Sequence, residues 1–254
     1  MHISPVNLLS STRPGEPATL KLAATLYIPA TPTAGSTPAG SRPPGLVVGH
    51  GAGSRRTNHD EFCRECCTNG FVVLALDFRG HGESGGRADG PLEQDILAAA
   101  RYLRTAPGIT VGPLGYRGSS MGGFYGLKAA PEAAFAALAL VCPAGEDVLL
   151  AHLTNDETVK YTEEEGATRW DGALLRAYFR EQDSMALASL VTCPVLLAHA
   201  RGDEVVPFDH SLRLTAALAG ETTLLAQPGG SHTTAQHDPA VHRLTRQWLW
   251  AHLA

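Results

Sequence analysis

The stretch Gly118-Ser119-Ser120-Met121-Gly122 sets two hydroxyls between glycines, with Ser120 at the centre of a G-x-S-x-G pattern. It follows an apolar run and precedes a segment with helical spacing, so Ser120 is expected at a strand-to-helix elbow. Glycines at such a turn let neighbouring chain pass without Cβ clashes. Ser119 is the weaker candidate, because its own frame lacks the flanking glycines. A serine hydroxyl is a poor nucleophile until a base takes its proton. The chemistry therefore needs an imidazole, a carboxylate to orient it, and donors for an oxyanion.

Each of these has a candidate. The run "HARGDEVVPFD" puts Asp203 just past a strand-like segment. Asp209 reads as the cap of the following helix, which leaves Asp203 without a structural duty, and Glu204 is expected to point away. The run "QPGGSHTT" places His232 in a glycine-rich loop between the last strand and the last helix, where no apolar period accounts for it. Of its rivals, His237 reads as part of the helix entry and His242 as a surface residue of the final helix. The run "VVGHGAGS" sets His50-Gly51-Ala52-Gly53 after another strand, and glycine-rich chain there lets two N–H groups converge on one point. Those donors are assigned to Ala52 and to Met121, the residue after the serine. His50 reads as a local hydrogen-bonding residue.

The elements that must position these groups alternate. Strand-like runs at Gly45–Gly49, 71–76 and 112–117 precede helical segments at 58–69, 92–105 and 121–130. After a strand at 136–141 the pattern breaks, with helical spacing mainly over 171–182. It then resumes with strands at 195–198 and 222–226 and helices at 209–219 and 239–253. Two β-rich stretches, 6–10 and 20–28, open the chain, and 29–44 reads as a surface loop. Alternation of this kind predicts an α/β fold: a mostly parallel central sheet with helices on both faces. Residues 1–254 are read as a single domain, with an insertion at about 145–190 over the sheet.

With 254 residues, 44% hydrophobic and 18% charged, the chain has ample material for a core. A net charge of −5 without a basic patch argues against nucleic acid as a partner. The longest apolar run, 133–142, is too short for a membrane span. Five cysteines, an odd count, and a start without a secretory pattern lead to the expectation of a cytoplasmic protein with free thiols. The C-x-x-C of Cys63 and Cys66 has no second ligand pair at zinc spacing, so it is read as packing on the buried side of a helix. No metal or cofactor is expected.

Taken in order, the motifs resemble those of the α/β-hydrolase superfamily across nearly the whole chain. They are H-G-x-G at His50 to Gly53, D-x-R-G-H-G-x-S at Asp77 to Ser84, the elbow, G-D-x-V-V-P at Gly202 to Pro207 and G-G-S-H at Gly229 to His232. The order nucleophile, acid, base is the one expected for that fold. Residues 58–84 and 174–200 are similar to the bacterial cinnamoyl/feruloyl esterase group and its serine-aminopeptidase-like relatives. The resemblance implies an α/β-hydrolase fold with a short cap, and an architectural role for the loop Asp77 to Ser84. Residues 146–172 depart from that group, so a feruloyl specificity does not carry over.

The expected activity is cleavage of a small-molecule acyl ester by Ser120, His232 and Asp203. Amide or thioester hydrolysis on the same residues is the alternative, and only the pocket decides between them. A dehalogenase would want Asp at the elbow. A catalytically silent binding protein of the same fold would be expected to have lost one of the three residues. Tyr161, Trp170, Tyr178 and Phe179 are candidates to line the pocket or pack the cap. A homodimer through the cap or the final helix is left open.

Overall fold

Five short runs build the middle of the sheet, each buried toward both faces. Gly45–Gly49 (β3), Val72–Leu76 (β4), Leu114–Ser119 (β5), Ala137–Val141 (β6) and Val195–Ala200 (β7) are buried at every position. Parallel strands covered on both sides have this character. With His2–Ser10 (β1), Leu20–Ile28 (β2) and Thr222–Gln227 (β8) they form one eight-stranded sheet of order β1-β2-β4-β3-β5-β6-β7-β8. Strand β2 pairs antiparallel with β1 and β4, and every pairing from β4 to β8 is parallel. The computed structural model describes residues 1–11, 19–30, 42–153 and 168–254.

The helices are Asp60–Thr68 (α1), Glu93–Thr105 (α2), Met121–Ala133 (α3), Glu146–His152 (α4), Gly172–Arg180 (α5), Ser184–Ala188 (α6), Phe208–Ala217 (α7), His232–His237 (α8) and Pro239–Leu253 (α9). The sequence pattern misses α4, α6 and α8, which are too short to show a helical period. Asp209 is not the cap of α7; that position belongs to Pro207, and Asp209 lies in the first turn. Two apolar layers enclose the sheet. On one face Leu74, Tyr116 and Leu138 pack with Ile96 of α2 and Phe124 of α3. On the other, Leu46, Val48 and Ala139 pack with Phe62 of α1 and Leu249 of α9. Among the described residues no helix is long and apolar enough to cross a membrane.

The C-x-x-C motif lies in this second layer. Cys63, Cys66 and Cys67 are all fully buried along the inner side of α1. Burial drives the Cys66 thiol well above its ordinary range and Cys67 up to about 11. Neutral thiols in such surroundings pack as small hydrophobes.

One polar knot crosses the core near β1. Arg79 reaches Asp95 of α2 at 2.5 Å, and Asp95 also accepts from Ser10 Oγ of β1 at 2.8 Å. Neither charged side chain is more than 2% exposed. Removing one member strands the other charge out of water. Asp95→Ala is therefore expected to cost about 3–5 kcal/mol, read as a fall in the urea midpoint. A loss below about 1 kcal/mol, the value of a surface pair, would contradict this account.

The sheet order places a crevice. From β3 the chain crosses to β4 on one side and returns to β5 on the other, so strand order reverses between β3 and β5. Open α/β sheets bind ligands at the carboxyl ends of the strands flanking such a point. Here those ends are Gly49 and Ser119, with Gly49 paired to Gly118.

Candidate active site

Ser120 stands between the last residue of β5 and the first of α3. Its backbone has φ 50° and ψ −117°, a region that residues with a Cβ avoid. Three contacts hold it there. Its N–H donates to Val141 O at 3.0 Å, its carbonyl accepts from Ala144 N–H at 3.1 Å, and Tyr116 Oη donates to Gly122 O at 2.7 Å. Gly122 is obligatory, since a Cβ there would meet His50 O at 2.5 Å. The elbow therefore packs its first helical turn directly on the end of β3. Ser120 lines an open cavity of about 410 Å³. Ser119 is fully buried, and its Oγ meets no partner.

His232 lines the same cavity. The sequence places it in a loop, whereas it is the first residue of α8, whose start is closed by a capping box between Ser231 and Thr234. Its Nδ1 lies 2.7 Å from Asp203 Oδ2. A carboxylate only accepts, so Nδ1 carries the proton and Nε2 keeps the lone pair in the neutral ring. No hydrogen bond joins Ser120 Oγ to His232 in this structure; such contacts are commonly long until a substrate binds.

Asp203 follows β7, and its side chain is wholly buried. Burial opposes its charge. Hydrogen bonds from His199 and His232 and from the Val206 N–H outweigh that, holding the carboxyl far below the usual carboxylate range. Val205 and Val206 N–H groups both reach Oδ1, at 2.9 and 2.8 Å. His199 Nε2 stands 3.3 Å from Oδ2. Glu204 is exposed, as expected.

Ala52 lies in the turn that follows β3, closed by Ser54 N–H to Gly51 O at 3.2 Å. His50 fixes this turn: Nδ1 donates to Gly51 O at 2.7 Å, and Nε2 accepts from Phe78 N–H at 3.0 Å. Met121 heads α3, so no carbonyl of its own helix receives its N–H. Ala52 and Met121 both border a second, apolar cavity of about 70 Å³, walled by Tyr125, Leu149, Trp170 and Phe179. The two cavities share Ala52, Leu149 and His152. Cys142, Asp203 and His232 place possible ligand atoms within 4.8 Å of one another, but the imidazole and carboxylate are already joined directly.

Residues 60–254 match the prolyl oligopeptidase family. The chain belongs to that family. By fold it is an α/β hydrolase, as the motif order implies. It superposes on Est1E of Butyrivibrio proteoclasticus with ferulic acid bound, at 22% identity and TM-score 0.73, over 92% of this chain and 96% of that one. It superposes on Pyrococcus horikoshii acylaminoacyl peptidase at 18% identity and TM-score 0.69, over 99% of this chain and 42% of the peptidase. Mitochondrial palmitoyl-protein thioesterase ABHD10 of Mus musculus is 28% identical over 192 residues, 68% of this chain. The match spans 62% of the length of that mouse protein.

In this prolyl oligopeptidase family member the tertiary structure corrects several sequence readings. His242 is buried, not on the surface; its Nε2 meets Gln236 O at 2.9 Å. His237 closes α8 and stacks on His59 with ring centres 5.5 Å apart. Trp170 and Phe179 wall the apolar cavity, whereas Tyr178 packs on Tyr125 and accepts from Lys128 Nζ at 2.7 Å. Tyr161 lies outside the described residues. The loop Asp77 to Ser84 is architectural, as expected: Asp77 holds Arg56, and Ser84 Oγ donates to Asp77 O at 2.6 Å. It also lends His81 to the wall of the apolar cavity. Leu149 and His152 were missed because α4 gives no periodic signal. His199 could have been suspected from its i−4 spacing to Asp203.

Burial leaves two histidines beside the site neutral. Desolvation lowers His50 to about 4 and His81 to about 3. The unfolded chain takes up these protons near pH 6.5 while the folded chain refuses them, so stability present above pH 6.5 is lost as pH falls toward 4. At pH 5 each histidine is expected to remove about 2 kcal/mol. Urea midpoints at pH 7.5 and 5.0 read this directly, and equal midpoints would refute it.

Proposed function

We propose that the chain is a serine hydrolase cleaving carboxylic esters through an acyl-enzyme, with Ser120 as nucleophile. The observation that carries this reading is the φ 50° backbone of Ser120, facing the cavity that His232 also lines, with the buried Asp203 carboxylate bonded to the His232 ring from behind. Strain of this kind persists only where the surroundings impose it, and it clusters at functional sites.

In the first step His232 Nε2 takes the Ser120 proton as Oγ attacks the carbonyl carbon. Asp203 keeps the Nδ1 proton in place and stabilises the imidazolium. The Ala52 and Met121 N–H groups receive the oxyanion, a type of contact worth about 2.7–4 kcal/mol per donor. His232 then protonates the leaving alcohol, the acyl group stays on Ser120, and water repeats the sequence to release the acid. None of these steps draws on a metal or cofactor.

The two cavities divide the substrate. The leaving atom must lie beside the acid that protonates it, so the alcohol occupies the larger cavity with His232, Thr233 and Gln236. The acyl chain then enters the apolar cavity beyond Ala52 and Met121. No carboxylate lines either cavity among the described residues, which disfavours an aminopeptidase that must hold a free ammonium. The second reading is thioester hydrolysis, favoured by the similarity to the mouse thioesterase.

The test is a panel of p-nitrophenyl esters, an acyl-CoA and an aminoacyl nitroanilide, together with mass spectrometry after a fluorophosphonate probe. Ester kcat/KM is expected to exceed the others, with the label on Ser120. Faster acyl-CoA turnover would favour the second reading. A label on another residue would remove Ser120 from the mechanism.

A further inference from the structure

The interior between β5, α1 and α8 holds a cation without an anion. Arg117 of β5 is fully buried, and among the described residues no carboxylate pairs with it. Burial lowers its pKa to about 10, which leaves it charged at neutral pH. Taking a guanidinium out of water is costly unless other groups replace the hydration. Three groups do so. Nη1 donates to His59 Nδ1 at 2.8 Å, Nη2 donates to Gln236 O at 2.9 Å, and the guanidinium carbon stands 4.9 Å from the ring centre of Phe62.

The Gln236 carbonyl gives this arrangement its direction. Gln236 lies in the last turn of α8, the helix that begins with His232. A helix of six residues does not hold its own place in water, so contacts at its ends decide where it lies. At its start is the Ser231–Thr234 box. At its end, Gln236 O accepts from both Arg117 and His242, each at 2.9 Å. A cation there also complements the helix dipole. Gln236 Nε2 in turn donates to His232 O at 3.1 Å.

We infer that Arg117 is a positioning residue for His232: from the strand that ends at the elbow, its guanidinium holds the carboxyl end of α8. One side chain thereby ties the placement of the imidazole to that of Ser120. The inference rests on the acyl-enzyme reading. Lysine would keep the charge but not the fork that reaches His59 and Gln236 together.

The test exploits the two tasks of His232. Acylation by a p-nitrophenyl ester needs the base but little protonation of the leaving group, whereas an alkyl ester of the same acid needs both. Misplacing the imidazole therefore hurts the alkyl ester more; loss of folded protein hurts both equally. In Arg117→Met, kcat/KM on the nitrophenyl ester is expected to fall about tenfold or more, with a further loss of about tenfold on the alkyl ester. The loss lies in kcat rather than KM, and Arg117→Lys recovers part of it. His242→Phe removes the other donor to Gln236 and is expected to show the same skew, about threefold. If Arg117→Met does not fold, Arg117→Lys and His242→Phe carry the comparison. Parallel losses on both esters, corrected for sites titrated by fluorophosphonate, would overturn the inference. Failure of the wild-type protein to label at Ser120 would instead overturn the acyl-enzyme reading.

Discussion

Replacing Ser120 with alanine is expected to lower kcat on p-nitrophenyl esters by roughly 10⁴–10⁶, with little change in KM. The large effect follows from the mechanism, since no other described group stands at the elbow to accept the acyl chain. Ser119, the adjacent serine, is fully buried and cannot substitute. The same position yields a second, independent readout. Ser120 holds φ 50° and ψ −117°, which costs a residue bearing a Cβ about 1–3 kcal/mol. Ser120→Gly should therefore be as inactive as the alanine variant yet more stable than it by about 1 kcal/mol, a rise of about 2–4 °C in Tm. Glycine less stable than alanine, the usual order elsewhere, would show that the elbow is not strained. Ester cleavage undiminished in Ser120→Ala would end the acyl-enzyme reading.

The second large effect is expected from Asp203→Asn, which keeps the shape of the side chain and removes its charge. An amide offers N–H as well as C=O to its surroundings. With its oxygen kept by the Val205 and Val206 N–H groups, its nitrogen would face His232 Nδ1. That interaction stabilises the ring with the proton on Nε2, the nitrogen that must receive the Ser120 proton. A loss of about 10⁴ in kcat is expected, accompanied by slower fluorophosphonate labelling. A loss under tenfold would mean that the 2.7 Å contact between Asp203 and His232 does not govern the base.

Much of this site was legible one segment at a time. The elbow at Ser120 is legible from its own five residues, the G-x-S-x-G pattern between a strand and a helix, and Gly122 has no room for a Cβ. Asp203 is singled out by a premise that fails: Pro207, not Asp209, holds the cap position of α7, and Asp203 itself accepts from the Val205 and Val206 N–H groups. His232 is singled out by the lack of an apolar period around it, although the expected loop is a short helix. His242 was misread because its helical position suggested solvent, while α8 and α1 cover it. Arg117 was visible beside the elbow but had no readable role, since its partner Gln236 lies 119 residues away.

The sequence by itself determined the strands, most of the longer helices, the elbow and the order of Ser120, Asp203 and His232 along the chain. These depend on periodicity, turn chemistry and steric demand within a few consecutive residues. Only the tertiary structure decided that His199 meets Asp203 beside His232, which side chains wall the two cavities, and what the buried guanidinium holds. Those contacts follow from sheet order, with β3 set between β4 and β5, and from the packing of α8 and α9 over the sheet. Burial and hydrogen bonding join residues far apart along the chain, and no local pattern encodes that proximity.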